Sequence, residues 1–322
     1  MPLEAPVSYL PTLLEFLSHW KLVEAETGGA FHLPEGGLAV GEALYAELEA
    51  AQEMVLERVM DQTITRAMAK GERAAVRDSL ERFHGVVRAF WADTQWADLL
   101  PRLPLPGAAL DKYLWPCREG LRIWAALEAE PFPPGAPDPI RIGPEGAMGR
   151  AEYAAEVEAL RLRGLELEAA EFSLAVARAR RNGVMRRVRA LLIRYTRVLS
   201  ARLAEGDALL EARPRLWPLP GHTPDPVRAA AVWLPETGRA RLTWAASTDE
   251  ALDHYQIRGC AGAEYSRDDE RVIADISPEV ERLLETAELL DRPGAEACYR
   301  VYVILKTGNE RASNVVAVVR PE

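Results

Sequence analysis

The 322-residue chain carries 49 acidic and 39 basic side chains for a net charge of −10, with 48% hydrophobic and 27% charged residues. Those proportions describe a folded protein with more than one core, and they exclude a disordered chain. The acidic balance disfavours generic binding to nucleic acid or anionic lipid, and no stretch approaches the roughly 20 apolar residues that cross a bilayer. The opening MPLEAPVSYLPTLLEF places Glu4 and two prolines ahead of any apolar run. It therefore lacks the signal-peptide pattern, and a cytoplasmic location is expected, with export by a signal-independent route left open.

From the first residues to about 221, one helical pattern is written twice. FLSHWKLVEAE around Trp20 returns as GLRIWAALEAE around Trp124, and PRLPLPG at Pro101 returns as PRLWPLPG at Pro214. Gly71, Val76 and Phe83 correspond to Gly183, Val188 and Tyr195. The extra residues of the second copy fall mainly in the Pro/Gly-rich loop from Pro131 to Pro144, where insertion costs little closure entropy. The expected organisation is repeat copy 1 over 1–107, copy 2 over 108–221, the two packing as one helical body about a pseudo-twofold axis, and a β-domain over 222–322.

In copy 1 a short helix is predicted from about Tyr9 to Glu26, with Leu13, Phe16, Leu17 and Trp20 on its apolar face. GGAFHLPEGG breaks it. A long helical stretch is then predicted from about Val40 to Asp98. Within it Val76, Leu80, Phe83, Val87 and Phe90 alternate at spacings of four and three, the seam of coiled-coil packing; Val188, Leu191, Tyr195 and Val198 repeat the seam in copy 2. A hairpin bend at Gly71 and Gly183 is the alternative to a continuous helix of close to 58 residues. The continuous form is favoured, because neither turn offers Pro or an N-capping residue and a lone Gly costs only about 1 kcal/mol in a helix.

Charge runs from acidic to basic along each long stretch. Copy 1 goes from Glu42, Glu47, Glu49, Glu53 to Arg73, Arg77, Arg82, Arg88, and copy 2 ends in an arginine-rich run from Arg178 to Arg197. Antiparallel packing sets acid against base along the pair. The same run, with Arg180, Arg181, Arg186 and Arg187, is the candidate nucleic-acid surface, set against the simpler expectation that it meets the acidic start of the first long helix. No G-x-S-x-G, P-loop, G-x-G-x-x-G or H-E-x-x-H pattern occurs. His19, His32, His84, His222 and His254 are scattered without metal-ligand spacing. A non-enzyme without cofactor or metal is expected.

After Pro224 the period changes from helical to alternating. RARLTW with Trp244, HYQIRG with Tyr255 and Ile257, and CYRVYVIL with Tyr299, followed by KTGNERASNVVAVV, are similar to strands B, C, F and G of a fibronectin type III domain. The resemblance implies a seven-stranded sandwich with Tyr299 at the tyrosine corner, a domain that binds or spaces. VERLLETAELLD, from Val280 to Asp291, departs from the family pattern and leaves room for a helical turn. Cys260 and Cys298 fall on neighbouring strands in this reading, where free thiols or a disulfide both fit; Cys117 reads as a buried small hydrophobe. The helical front joined to such a domain resembles bacterial proteins of uncharacterised role, which implies architecture and no activity.

The fold class expected is therefore multidomain: an all-α tandem duplication with long antiparallel helices, plus an all-β fibronectin type III-like sandwich. The expected role is a structural or interaction protein that self-assembles into an oligomer or filament or binds another protein. The alternative is a soluble adaptor binding protein or glycan through Lys306, Asn309 and Arg311 in the loop between strands F and G.

Overall fold

A computed structural model describes residues 3, 5–29, 31–34 and 36–321. Glu4, and Ala30 and Glu35 of the first loop, lie outside the described residues. The helices are α1 (Tyr9–Glu26), α2 (Leu38–Phe90), α3 (Gln95–Leu99), α4 (Leu110–Glu128), α5 (Arg150–Arg202) and α6 (Ala208–Glu211). The duplication is visible in this order: short helix, 53-residue helix, one-turn helix, and the same again. Both long helices run unbroken through Gly71 and Gly183. The expected extent to Asp98 is corrected, since α2 stops at Phe90; Thr94 accepts the Trp96 amide and starts α3 as a new capped turn.

The chain divides into two compact units, Met1–Met60 with Ala175–Glu322, and Asp61–Leu174. These units of packing do not coincide with repeats 1–107 and 108–221, because each unit takes half of each long helix. In the first unit α1 buries Leu13, Phe16, Leu17 and Trp20 against Leu44 and Leu48 of α2 and against Val188, Leu192, Tyr195 and Leu199 of α5. In the second, α4 buries Tyr113, Leu114, Cys117 and Trp124 against Val157 and Leu160 of α5 and against Val76, Leu80, Phe83 and Val87 of α2. Each short helix thus packs on the first half of its own long helix and the second half of the other. The seam of α5 is carried by Leu192 and Leu199 in the places expected for Leu191 and Val198, one residue further on; Phe90, expected on the α2 seam, is exposed.

Antiparallel charge pairing is present within each unit: Arg187 with Glu47 in the first, and Arg66 with Glu171 (3.0 Å) and Arg163 with Glu72 (3.1 Å) in the second. Most of these side chains are substantially exposed, so they select orientation and add little stability. One buried polar contact crosses the first unit. Tyr195 lies 2.7 Å from His19 Nδ1, and the opposite ring nitrogen lies 2.8 Å from the Leu209 carbonyl. Burial lowers the His19 pKa, so the neutral ring accepts from the phenol and donates to the carbonyl.

The C-terminal part of the first unit is a fibronectin type III-like sandwich. Its strands are β1 (Ala229–Leu234), β2 (Arg239–Trp244), β3 (Leu252–Ala261), β4 (Arg271–Ile276), β5 (Leu283–Thr286), β6 (Glu296–Leu305), β7 (Glu310–Ala312) and β8 (Val316–Val319). One sheet has the order β1-β2-β5; the other runs β4-β3-β6-β7, with β8 also paired to β6. Leu242, Trp244, Tyr255, Ile257, Tyr299, Val301 and Val303 fill the space between them, as period-2 alternation requires. Tyr299 donates to the Glu288 carbonyl at 2.6 Å, closing the tyrosine corner. The helical turn allowed for 280–291 is absent. That segment is the short strand β5 followed by a turn in which Leu289 takes a φ of 70°.

Cys260 and Cys298 face each other across β3 and β6, yet all three cysteines are free and buried. The Cys260 sulfur accepts the Ser266 amide, and the Cys298 thiol donates to the Gly262 carbonyl. The disulfide alternative is thereby corrected. Among the described residues no helix is long and apolar enough to cross a membrane, and no group of three or more His, Cys, Asp or Glu could hold a metal ion.

Candidate functional site

An antiparallel sheet of a sandwich commonly leaves one face to water. Here the outer face of the β3–β6 sheet is closed. Alternation on β3 sends Tyr255 and Ile257 into the core and Gln256 and Arg258 outward; Gly259 is required next to Arg258 because a Cβ there would meet Tyr299 and Leu289 at 2.8 and 2.9 Å. The β3–β4 loop, residues 262–270, folds back over these outward side chains, and Arg258 is only 1% exposed.

The buried guanidinium is held from all sides. It donates to Glu270 at 3.2 Å, to both carboxylate oxygens of Glu310 and to the Gln256 amide oxygen, and it lies 3.9 Å from the centroid of the Tyr302 ring. Tyr265 and Tyr302 both donate to Glu270, at 2.5 and 2.8 Å. Burial works against the charged Arg258, but the hydrogen bonds and charge of Glu310, then the charge of Glu270, outweigh it and hold its pKa above the ordinary arginine range. Burial, then the Glu270 charge, pushes the Tyr265 and Tyr302 phenols up, so both stay neutral donors. A buried charge set of this kind fixes geometry more than it adds stability.

The same loop joins the sandwich to the helices. Arg178 of α5 forms a two-point pair with Asp269, and Arg181 donates to the Asp268 carbonyl. Burial lowers the Arg181 pKa, opposed by the charges of Asp269 and Asp268. Leu56 of α2 packs against the sandwich core, and the Leu219 amide donates to the Thr307 carbonyl at 2.9 Å. The expectation that the arginine run meets the acidic start of α2 therefore holds for Arg187, while Arg178 and Arg181 are corrected to partners in the β3–β4 loop. Arg180 and Arg186 are exposed on α5, and Arg189 lies over the Trp217 ring.

Of the loop residues named from sequence, Asn309 is engaged: its amide donates to the Leu219 carbonyl and to Thr307 Oγ1. Lys306 and Arg311 are exposed. Beside them an open cleft of about 510 Å³ is lined by Arg267, Arg300, Tyr302, Glu310, Arg311 and Ala312. A second, apolar groove of about 580 Å³ lies between the first half of α2 and the second half of α5, floored by Ala39, Val40, Ala43 and Leu191 and edged by Glu47 and Arg187. In the other unit, α5 carries an apolar row that no element among the described residues covers. Leu162, Leu165 and Phe172 are 47%, 48% and 73% exposed, with exposed Ala169 between them.

Sequence reasoning missed Arg258, Glu270 and Glu310. The only sequence signal was three ionisable residues on or beside strands of one sheet.

No family model matches the chain, and a search of curated proteins gives no match. Among solved structures, pectate lyase Pel3 from Pectobacterium carotovorum is similar at 12% identity, covering 29% of this chain and 27% of its own, with a TM-score of 0.25. The fn3 domain of human contactin 1 is similar at 16% identity over 32% of this chain and 80% of its own, TM-score 0.25. An Fn3-like protein from Clostridium thermocellum is similar at 19% identity over 31% and 97%, TM-score 0.24. The chain thus spans about a quarter of the length of the pectate lyase. None of these likenesses carries a functional argument; the sandwich assignment rests on strand order, the Trp244–Tyr255 core and the tyrosine corner.

Proposed function

We propose that the chain is a non-enzymatic scaffold, a duplicated helical body carrying a docked fibronectin type III-like sandwich, whose principal partner is a second copy of itself. The observation that carries this reading is the apolar row on α5. Leu162, Leu165, Ala169 and Phe172 follow the three-four spacing of a coiled-coil seam, and large exposed apolar residues in such a row mark an association surface. An antiparallel pairing of two copies about the middle of the row sets Leu162 against Phe172 and Leu165 against Ala169. Such an arrangement is self-complementary, as a twofold contact requires.

The engagement of Arg178, Arg181 and Arg187 with acidic groups or carbonyls of the same chain leaves the arginine run a poor match to a phosphate backbone, so nucleic acid is not proposed as a partner. A cytoplasmic location remains part of the proposal. A second reading, an adaptor for protein or glycan, is favoured by the exposed Lys306 and Arg311.

Sedimentation velocity across a wide concentration range tests the leading reading. A concentration-dependent dimer or larger species is expected, dispersed by Phe172→Glu or Leu165→Glu. A strict monomer throughout, or assembly indifferent to both substitutions, overturns it.

A further inference from the structure

The apolar groove between the first half of α2 and the second half of α5 has a wall of each sign. Glu47 stands on the α2 wall and Arg187 on the α5 wall, with Val40, Ala43, Ala190 and Leu191 between them. Glu47 pairs with Arg187 across the groove, through one carboxylate oxygen and one guanidinium nitrogen, and both side chains are about half exposed. The other oxygen and the remaining N–H groups keep capacity for a further partner. Residue 41 of α2 lies beside Leu191, and Glu47 beside Arg187, so the two helices run antiparallel and the ion pair joins them at one level.

That level pairing makes the groove self-complementary. A second copy turned by a twofold axis running along the helix pair lays its α2 over this α5 and its α5 over this α2, with every residue kept at its own height. Glu47 of each copy then stands over Arg187 of the other, and four charges alternate in sign around the axis. Ala43 and Ala190 are exposed and small, which lets the helices approach closely. A twofold axis across the helices at the same level sets α2 on α2 and α5 on α5, acid on acid and base on base. The apolar floor accepts either arrangement; the charges accept only the first.

We infer that this groove is a second twofold contact between copies of the chain. It shares no residue with the apolar row on α5, so a pair of copies joined through the row leaves both grooves unused, and a pair joined through the grooves leaves both rows unused. Each copy then takes two neighbours, and assembly passes beyond a dimer. The groove contact stands without the row; only the step from dimer to larger assembly rests on the self-association proposed above.

Sedimentation velocity of the full chain tests it, with circular dichroism to confirm that each variant folds. The native chain is expected to form species larger than a dimer, and Ala43→Arg, which fills the groove from an exposed position, to leave none above a dimer. Glu47→Arg and Arg187→Glu each place like charges around the axis and are expected to act as Ala43→Arg does. Mixed in equal amounts, these two variants complement each other and are expected to restore the larger species. Phe172→Glu is expected to leave pairs held by the groove, and Phe172→Glu combined with Ala43→Arg to leave only monomer. A size distribution unchanged by Ala43→Arg, or no recovery on mixing, overturns the groove contact, and the apolar row is then judged by Phe172→Glu alone. A dimer lost with Ala43→Arg and unaffected by Phe172→Glu overturns the row and leaves the groove contact. A strict monomer of the native chain overturns both.

Discussion

The indole of Trp20 packs on the phenol of Tyr195 with ring centroids 5.0 Å apart, and the counterparts of these two residues in the other repeat, Trp124 and Phe83, stack at 4.6 Å. In each case the tryptophan comes from the short helix of one copy and its partner from the long helix of the other. The duplicated sequence therefore forms its cores by exchange between copies, and neither copy contains a complete core. Truncation after residue 107 is expected to give an unfolded or aggregating fragment, with no cooperative thermal transition by circular dichroism. A cooperative, monomeric fragment would refute the exchange.

The continuity of the long helices makes a directional prediction. A Cβ at Gly71 would meet nothing within 4 Å, and at Gly183 only an arginine tip at 3.8 Å. Gly71→Ala and Gly183→Ala are each expected to stabilise by about 0.5–1 kcal/mol, read as a rise in the urea midpoint. At Gly164 a Cβ would overlap Leu110 at 2.2 Å and crowd the rest of that side chain, so Gly164→Ala is expected to cost about 1–3 kcal/mol. Destabilisation by both of the first two substitutions would indicate a bend.

The sandwich is held to α5 through Arg178 and Asp269, whose carboxylate is only 5% exposed. Arg178→Ala leaves that buried acceptor short of its charged partner, a loss of about 1–3 kcal/mol. The expected readouts are a lower melting temperature and faster proteolysis of the segment 203–228. An unchanged cleavage rate would mean that the apolar contacts at Leu56 suffice.

Acid sensitivity should centre on His84. It is buried on α2, its Nε2 has no hydrogen-bond partner among the described residues, and burial followed by the charge of Arg88 lowers its pKa to about 4. The unfolded chain, with a value near 6.5, binds more protons between pH 6.5 and 4 than the folded one. Stability is therefore full above about pH 6.5 and is lost as the pH falls toward 4, by on the order of 3 kcal/mol. His19 acts in the same direction. Urea midpoints at pH 7 and pH 5 are expected to converge in His84→Leu; an undiminished difference would place the acid sensitivity elsewhere.

Burial also governs the thiols. Cys260 is pushed up to about 11 by desolvation, and Cys117 and Cys298 are raised for the same first reason. Native protein is expected to resist a thiol-specific disulfide reagent for hours, then to release three equivalents on denaturation. Rapid reaction of one thiol in the native state would contradict the packing around it.

Much of the fold was legible because it is periodic. The helical seams, the proline-marked breaks and the alternation of RARLTW and CYRVYVIL are local patterns, and local patterns follow from bond geometry and burial. The tyrosine corner was legible from the position of Tyr299. The phase of the second seam was less so: Leu191 and Leu192 are both buried, and only the packed helix shows that Leu192 repeats Leu80. The buried residues of the candidate site were not legible. Arg258, Glu270 and Glu310 meet only because a loop folds over a sheet, and charge alone reads as solvent exposure.

By itself the sequence determined the twofold writing of the helical part, the change of period after Pro224 and the antiparallel matching of acid with base, since each depends on residue type and spacing along the chain. Only the tertiary structure decided that the cores are shared between copies, that Arg178 and Arg181 grip the sandwich, and that Arg258, Glu270 and Glu310 close into one buried set. Those outcomes depend on which surfaces meet, and the meeting of surfaces distant in sequence is a property of packing that no local pattern encodes.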